Sequence, residues 1–185
     1  MRKSLIFILL VFISGCASMG MPGSITETVS QFDNTKEITM EPAWLYGGSG
    51  AIKIGLYKNS KMETDSVVMT AVVRGTHIFD DKGLLQFNID GEIVVLESFD
   101  NSTIIETVPG MYTSVYSFPA YNESSKRFLI SKDFISKLLG AEKVWVKVEM
   151  QRDYVDGEFS KDYPSLARPA FRKFYEKIWG IEKGN

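Results

Sequence analysis

The strongest restriction on the fold comes from a repeated alternation of apolar and polar side chains with a period of two residues. It is clearest at residues 144–151, where valine or methionine occupies every second position. Residues 52–57 and 85–89 repeat the alternation, and residues 67–73 are apolar at nearly every position. Alternation is typical of a β-strand with one buried face, and a short apolar run is typical of a central strand. The sequence therefore predicts a domain rich in β-strands.

Turn and helix signals complete the predicted fold. Asp-Gly pairs at residues 90–91 and 156–157 predict hairpin turns, because a tight turn needs residues with positive φ. Residues 47–50 predict another hairpin turn rather than a phosphate-binding loop, since no Lys-Ser/Thr pair or helix follows them. A short helix is expected near residues 131–140 and a C-terminal amphipathic helix near residues 168–179. The predicted class is all-β or α+β, mainly an antiparallel sheet or sandwich with these two helices.

The first fifteen residues have the order of features found in a secretory signal peptide. Arg2 and Lys3 precede Leu5–Ile13, an unbroken apolar run of nine residues, and the small residues Ser14 and Gly15 follow. As a helix this run would extend about 14 Å, roughly half of a hydrocarbon core of about 30 Å. The run is therefore too short for a transmembrane helix.

Ile13-Ser14-Gly15-Cys16 resembles the lipobox of bacterial lipoproteins. The resemblance implies that Cys16 receives a diacylglycerol, that cleavage before Cys16 makes it the first residue, and that its amine is often acylated. Ala17, in place of the Asp that retains some lipoproteins in the inner membrane, implies an outer-membrane protein facing the periplasm. In a Gram-positive cell the anchor would lie in the cell membrane. An ordinary signal peptide followed by an incidental cysteine is the alternative.

These signals divide the chain into three predicted parts. Residues 1–15 form the signal peptide, and residues 16–36 form the lipidated N-terminus and a flexible tether rich in glycine, serine and threonine. Residues 37–185 form a single β-rich globular domain.

Composition excludes several classes of function. The chain has 21 basic and 23 acidic residues, a formal charge of -2, so it has no general attraction for nucleic acid. One histidine and one cysteine exclude an internal disulfide, a cysteine-rich zinc site and most histidine-based metal sites. We therefore expect no cofactor and no metal.

Two sets of residues could carry acid–base chemistry. His77 could act as a general base oriented by a nearby aspartate, or could simply be a polar residue at the end of a strand. A carboxylate cluster could supply the pair of acids needed for glycoside hydrolysis, or could stabilise turns, as aspartates often do. The cluster consists of Asp80, Asp81, Asp90, Glu92 and Asp100.

Aromatic and basic residues offer binding surfaces instead. Tyr112, Tyr116 and Phe118 share one face of a predicted strand at residues 112–118, and Trp145 lies on the polar face of its strand. Such residues are enriched at binding interfaces, although a helix could also cover them as part of the core. The last helix carries four basic residues that could face lipid phosphates or an anionic partner, or could be its solvated face. These are Arg168, Arg172, Lys173 and Lys177.

The sequence favours a membrane-anchored envelope lipoprotein that binds or scaffolds another component without catalysis. Its partners would be the membrane, through lipidated Cys16, and another envelope protein. One alternative is a membrane-tethered hydrolase of cell-wall glycan or peptide that uses Asp/Glu pairs. A second alternative is a small-ligand carrier, which would need a barrel.

Overall fold

A computed structural model describes residues 21–48, 52–80, 82, 84–112, 116–161 and 165–180. The predicted signal peptide, the lipobox and Cys16 lie outside these residues. Within them, neither helix combines the length and the apolar character needed to cross a lipid bilayer.

The described residues form twelve strands and two helices. The strands are β1 (Ile25–Val29), β2 (Lys36–Trp44), β3 (Ile52–Asn59), β4 (Ser66–Arg74), β5 (Leu85–Ile89), β6 (Glu92–Leu96), β7 (Ile104–Val108), β8 (Met111–Tyr112), β9 (Ser117–Phe118), β10 (Tyr121–Ser131), β11 (Val144–Glu149) and β12 (Tyr154–Glu158). The helices are α1 (Lys132–Gly140) and α2 (Ala167–Trp179).

The strands pair into two large antiparallel sheets. One has six strands in the order β1-β2-β3-β4-β10-β7, and the other has four in the order β12-β11-β5-β6. Strands β8 and β9 form a small third sheet. The predicted class, a mainly antiparallel β-rich fold with one short helix and one C-terminal helix, is confirmed, and the arrangement is sandwich-like.

One apolar core joins the inner faces of both sheets with the two helices. The alternating strands supply it as predicted: Val144, Val146 and Val148 of β11 are fully buried. Ser131 is the N-cap of helix α1. Its hydroxyl accepts a hydrogen bond from the Phe134 amide at 3.1 Å, which satisfies one free amide of the first turn.

Helix α2 covers one side of the core. It packs against β1, β2 and β3, and its Phe171 ring meets Phe159 edge-on, with the ring centroids 4.9 Å apart. Gly180 has a φ of 81° and donates its amide to the Glu176 carbonyl. The helix therefore ends at the glycine that the sequence indicates.

The two predicted Asp-Gly turns have different outcomes. Asp90 and Gly91 both have positive φ and join β5 to β6, which confirms the first turn. The second prediction is wrong, because Asp156 and Gly157 lie inside β12, opposite Lys147 and Val146. The turn before β12 instead lies at residues 150–153, where the Met150 amide bonds to the Asp153 carbonyl.

The predicted tether also needs a correction. Residues 25–29, inside the stretch predicted as tether, form β1 and pair in full with residues 36–40 of β2. Ile25 lies on the same face as the core residues of β2 and packs against the core, whereas Val29 at the other end of the strand is exposed. This edge strand therefore gains hydrogen bonds along its length and apolar contact at Ile25. The ordered domain therefore begins before residue 37.

A loop between β2 and β3 joins the two large sheets. Tyr46, in this loop, pairs with Glu158 of β12 through two backbone hydrogen bonds of 3.0 and 2.7 Å. Gly48 lies so close to β12 that a Cβ atom there would be 1.9 Å from the Asp156 carbonyl oxygen. Gly48 thus allows a close contact between the sheets, whereas nothing lies within 4 Å of a Cβ added at Gly47. Both glycines have positive φ and turn the chain.

Candidate functional site

Strand β7 and the first half of β10 form one edge of the six-stranded sheet, which we call the arm. They pair along residues 104–108 and 121–125, and the chain continues into the short ladder of β8 and β9. Pro119 interrupts the hydrogen bonding between the two ladders, since proline lacks an amide donor. Gly110 allows the chains to approach there, because a Cβ would lie 2.7 Å from the Phe118 carbonyl oxygen.

The tip of this arm, residues 111–118, carries three of the four predicted binding residues. Tyr112 is 75% exposed, Tyr116 is 64% exposed and Phe118 is 58% exposed. The rings of Tyr116 and Phe118 stack with their centroids 6.3 Å apart. Helix α2 packs against β1–β3 instead, so the alternative in which a helix covers these aromatic residues is wrong.

The aromatic residues of the tip occupy both faces of the ribbon. Tyr112 is paired with Ser117, so its side chain shares a face with Ser117. Tyr116 and Phe118 flank Ser117 in sequence and therefore lie on the opposite face. The prediction that all three aromatic residues share one face is wrong, because Tyr112 and Phe118 belong to two antiparallel strands, β8 and β9, and not to one strand. The tip therefore presents aromatic side chains on both of its faces.

Trp145 is not part of this surface. It lies on the outer face of the four-stranded sheet, opposite Asn88 and Glu158, where it lines a shallow pocket of about 240 Å³. The Lys143 ammonium is 5.7 Å from the centroid of its ring. The structure thus separates Trp145 from the three aromatic residues at the tip.

A groove that the sequence did not indicate crosses the outer face of the six-stranded sheet. It has a volume of about 370 Å³ and is lined by residues of β2, β3, β4, β7 and β10. Its charged residues are Glu41, Lys53, Glu106, Glu123 and Arg127. Because β7 and β10 form one wall, the groove lies beside the strands that lead to the aromatic tip.

Lys53 and Glu123 form the central ion pair of the groove. The Lys53 ammonium lies 2.6 and 2.7 Å from the two carboxylate oxygens of Glu123, and both side chains are largely buried. Lys53 also lies over the ring of Trp44, 5.1 Å from its centroid. Burial and the Glu123 carboxylate raise the pKa of the Tyr121 hydroxyl at the arm's base.

The other two carboxylates of the groove, Glu41 and Glu106, take no part in this ion pair. Glu106 lies directly opposite Glu123 on the paired strands β7 and β10. Among the described residues, the side-chain carboxylates of Glu41 and Glu106 have no hydrogen-bond or ion-pair partner. Glu41 lies on β2, across the groove from Glu106 on β7. A carboxylate without a partner favours a positively charged ligand group.

The carboxylates predicted for hydrolysis have separate structural contacts. Asp80 accepts the Lys82 amide, and Glu92 pairs with Lys137 at 2.7 Å. Asp100 pairs with Arg127 at 2.7 Å. Burial raises the pKa of Asp100, but the hydrogen bonds from Arg127 outweigh it and hold that pKa below its ordinary value. Asp81 lies outside the described residues.

Asp90 anchors the β5–β6 turn to the loop before β11. Its carboxylate accepts the Lys143 amide at 2.7 Å and the Glu142 amide at 3.1 Å. These two backbone hydrogen bonds lower the pKa of the Asp90 carboxyl. The two amides therefore stabilise the charged form of Asp90, and Asp90 has the structural role in a turn that was considered for this cluster.

His77 lies in the loop after β4. Its Nε2 atom is 3.0 Å from the Arg74 carbonyl oxygen, and its backbone amide donates to the Ser124 hydroxyl at 2.8 Å. It lines a surface pocket of about 370 Å³ together with residues 150–153. Within the described part of the chain, no three His, Cys, Asp or Glu side chains are grouped so as to hold a metal ion.

Asp90→Asn tests the turn role through pH. A lowered pKa in the folded state means that ionised Asp90 stabilises the fold above the unfolded pKa near 4, and that this contribution is lost as the pH falls through the folded pKa. Asparagine tolerates the positive φ equally well. We expect the variant to unfold at lower urea than the wild type at pH 7, and this difference to shrink at pH 3. An equal difference at both pH values would contradict this role.

Comparison of the chain with protein-family models, curated proteins and solved structures finds no match.

Proposed function

We propose that this protein is a lipid-anchored protein of the bacterial cell envelope that binds another envelope protein through the aromatic tip, without catalysing a reaction. The observation that carries the proposal is the exposure of Tyr112, Tyr116 and Phe118 together at the end of one arm. Aromatic side chains provide large contact area at little entropic cost and are common energetic centres of protein interfaces. Three exposed aromatic side chains at the tip therefore favour the binding of a partner protein.

The groove supports a partner with basic side chains. Glu41 and Glu106 bring two carboxylates to its lining, while the Lys53–Glu123 pair is already satisfied. Lysine or arginine residues of a partner would satisfy both carboxylates, and would also favour the faces of the aromatic rings at the tip. Charge complementarity of this kind increases the rate and the specificity of association.

The anchor rests on the resemblance of Ile13-Ser14-Gly15-Cys16 to a lipobox. A diacylated cysteine gives stable membrane attachment, because two acyl chains bury many methylene groups at about 0.8 kcal/mol each. We place the protein at the outer membrane facing the periplasm, on the basis of Ala17, or at the cell membrane of a Gram-positive host.

The function is tested by crosslinking in intact cells, followed by identification of the proteins that co-purify. A variant with Tyr112→Ser, Tyr116→Ser and Phe118→Ser should recover at least tenfold less of a specific partner, since single hot-spot residues each contribute about 2 kcal/mol or more. Phe32→Ser is the matched control, because Phe32 is a fully exposed aromatic residue far along the chain from the tip.

Two results would contradict the proposal. One is a partner that is recovered equally by the wild type and by the tip variant. The other is loss of the partner in Phe32→Ser as well, which would indicate a general effect of exposed aromatic residues. Cys16→Ser tests the anchor separately: it should abolish lipid labelling and leave the leader uncut.

A further inference from the structure

A basic cavity lies at the beginning of helix α2. Its volume is about 440 Å³, and it is lined by Lys161, Arg168, Pro169, Arg172, Lys173 and Glu176. Four cationic side chains thus surround the cavity with a single carboxylate. Lys161 is partly neutralised by its exposed ion pair with Glu142 at 2.9 Å.

Arg168 is the buried member of this set. It is 3% exposed, and its Nη2 atom donates to the carbonyl oxygens of Leu139 and Ala141 at the end of α1. Its Nε and Nη1 atoms are buried and, among the residues that the structure describes, have no hydrogen-bond partner. Burial lowers the pKa of this guanidinium, and the nearby charge of Arg172 lowers it further. A buried guanidinium with unused donors is costly unless an anion satisfies them.

The N-terminus of α2 lies next to the residues that line the cavity. Leu166, at the N-cap, provides no side-chain hydrogen bond, and the first turn contains no acidic residue. Pro169 has no amide, and the first intrahelical bond runs from the Ala170 amide to the Leu166 carbonyl. The hydroxyl of Ser165, just before the cap, is also buried, with no hydrogen-bond partner in the described part of the chain. The partial positive charge of a helix N-terminus favours anions at such a position.

We propose that this cavity binds a phosphate-class oxyanion, either a free phosphate group or the phosphodiester of a lipid headgroup. A tetrahedral anion carries enough charge for several cations and enough oxygens for the Arg168 fork, Arg172 and Lys173. The site is independent of the aromatic tip and adds a second binding activity to the one proposed above.

Titration of the full-length chain with inorganic phosphate tests the site, by calorimetry at constant ionic strength. Arg172→Gln and Lys173→Gln should each weaken binding about tenfold, the loss expected for one charge-assisted hydrogen bond. Glutamine preserves helix propensity, so the helix is retained. Arg168 itself is left intact because it holds the end of α1. Lys177→Gln is the matched control: it lies on the same helix, outside the cavity, paired with Glu27.

A second measurement distinguishes the source of the phosphate. The same proteins are mixed with phosphatidylcholine vesicles with or without phosphatidylglycerol, and the leader's contribution cancels because all variants share it. Saturable binding of inorganic phosphate that the two cavity variants weaken would support a site for free phosphate. A gain with phosphatidylglycerol alone, lost in these variants, would support a headgroup site. No binding in either arm, or equal loss in Lys177→Gln, would overturn the proposal.

Discussion

Phe171→Ala should lower the free energy of unfolding by about 3–5 kcal/mol, the range for truncating a fully buried phenylalanine. Phe171 is 0% exposed and packs edge-on against Phe159, so its removal leaves a cavity where α2 closes over the core. Aromatic pairs of this geometry add about 0.5–1.5 kcal/mol to the area they bury. Urea unfolding followed by circular dichroism measures the loss.

Phe32→Ala serves as the control for Phe171→Ala, because it removes the same atoms from a fully exposed side chain. It should change stability by less than about 0.5 kcal/mol. Phe171→Leu, which leaves a smaller cavity, should fall between the two. A loss below about 1 kcal/mol in Phe171→Ala would mean that α2 does not seal the core.

Gly48→Ala should destabilise the protein by about 2–4 kcal/mol, through backbone strain and steric overlap together. Gly48 has a φ of 85°, which L-residues rarely adopt. A Cβ would also lie 1.9 Å from the Asp156 carbonyl oxygen, and backbone cannot rotate away as a side chain can. The expected result is separation of the β2–β3 loop from β12, measured as a lower urea midpoint.

Gly47→Ala separates these two causes. Its φ of 65° is also positive, but nothing lies within 4 Å of the Cβ that alanine would add. It should cost only the backbone strain, about 1 kcal/mol. Equal losses at residues 47 and 48 would show that the contact with Asp156 contributes nothing.

The sequence predicted the strands whose core positions are all apolar, and missed those whose core positions are not. β11 and β5 alternate cleanly and were predicted. β10, the longest strand, was missed because two of its core-facing positions are Ser124 and Lys126, both buried. Its neighbour β7 is mostly exposed, and the Asp-Gly pair in β12 has the local signature of a turn.

The binding residues were predictable by type but not by position. The sequence predicted Tyr112, Tyr116 and Phe118 as binding residues together with Trp145. The first three lie at the tip, but Trp145, which is also aromatic, lies on the four-stranded sheet. The groove could not be predicted, because Lys53 and Glu123 are 70 residues apart in sequence and meet only through two successive strand pairings. The basic residues of the last helix were visible, but the unused donors of Arg168 depend on how α1 and α2 pack.

The order of strands in the six-stranded sheet has a consequence for how the chain folds during synthesis. Strand β4 pairs with β10, so residue 66 cannot pair until residue 131 has been synthesised. In the same way, β5 cannot pair with β11 until β11 has been synthesised. The core then lacks Phe171 and Phe174 until α2 has been made. Long loops that must close before contacts form make folding slow. We therefore expect the complete core to form only after α2 has left the ribosome.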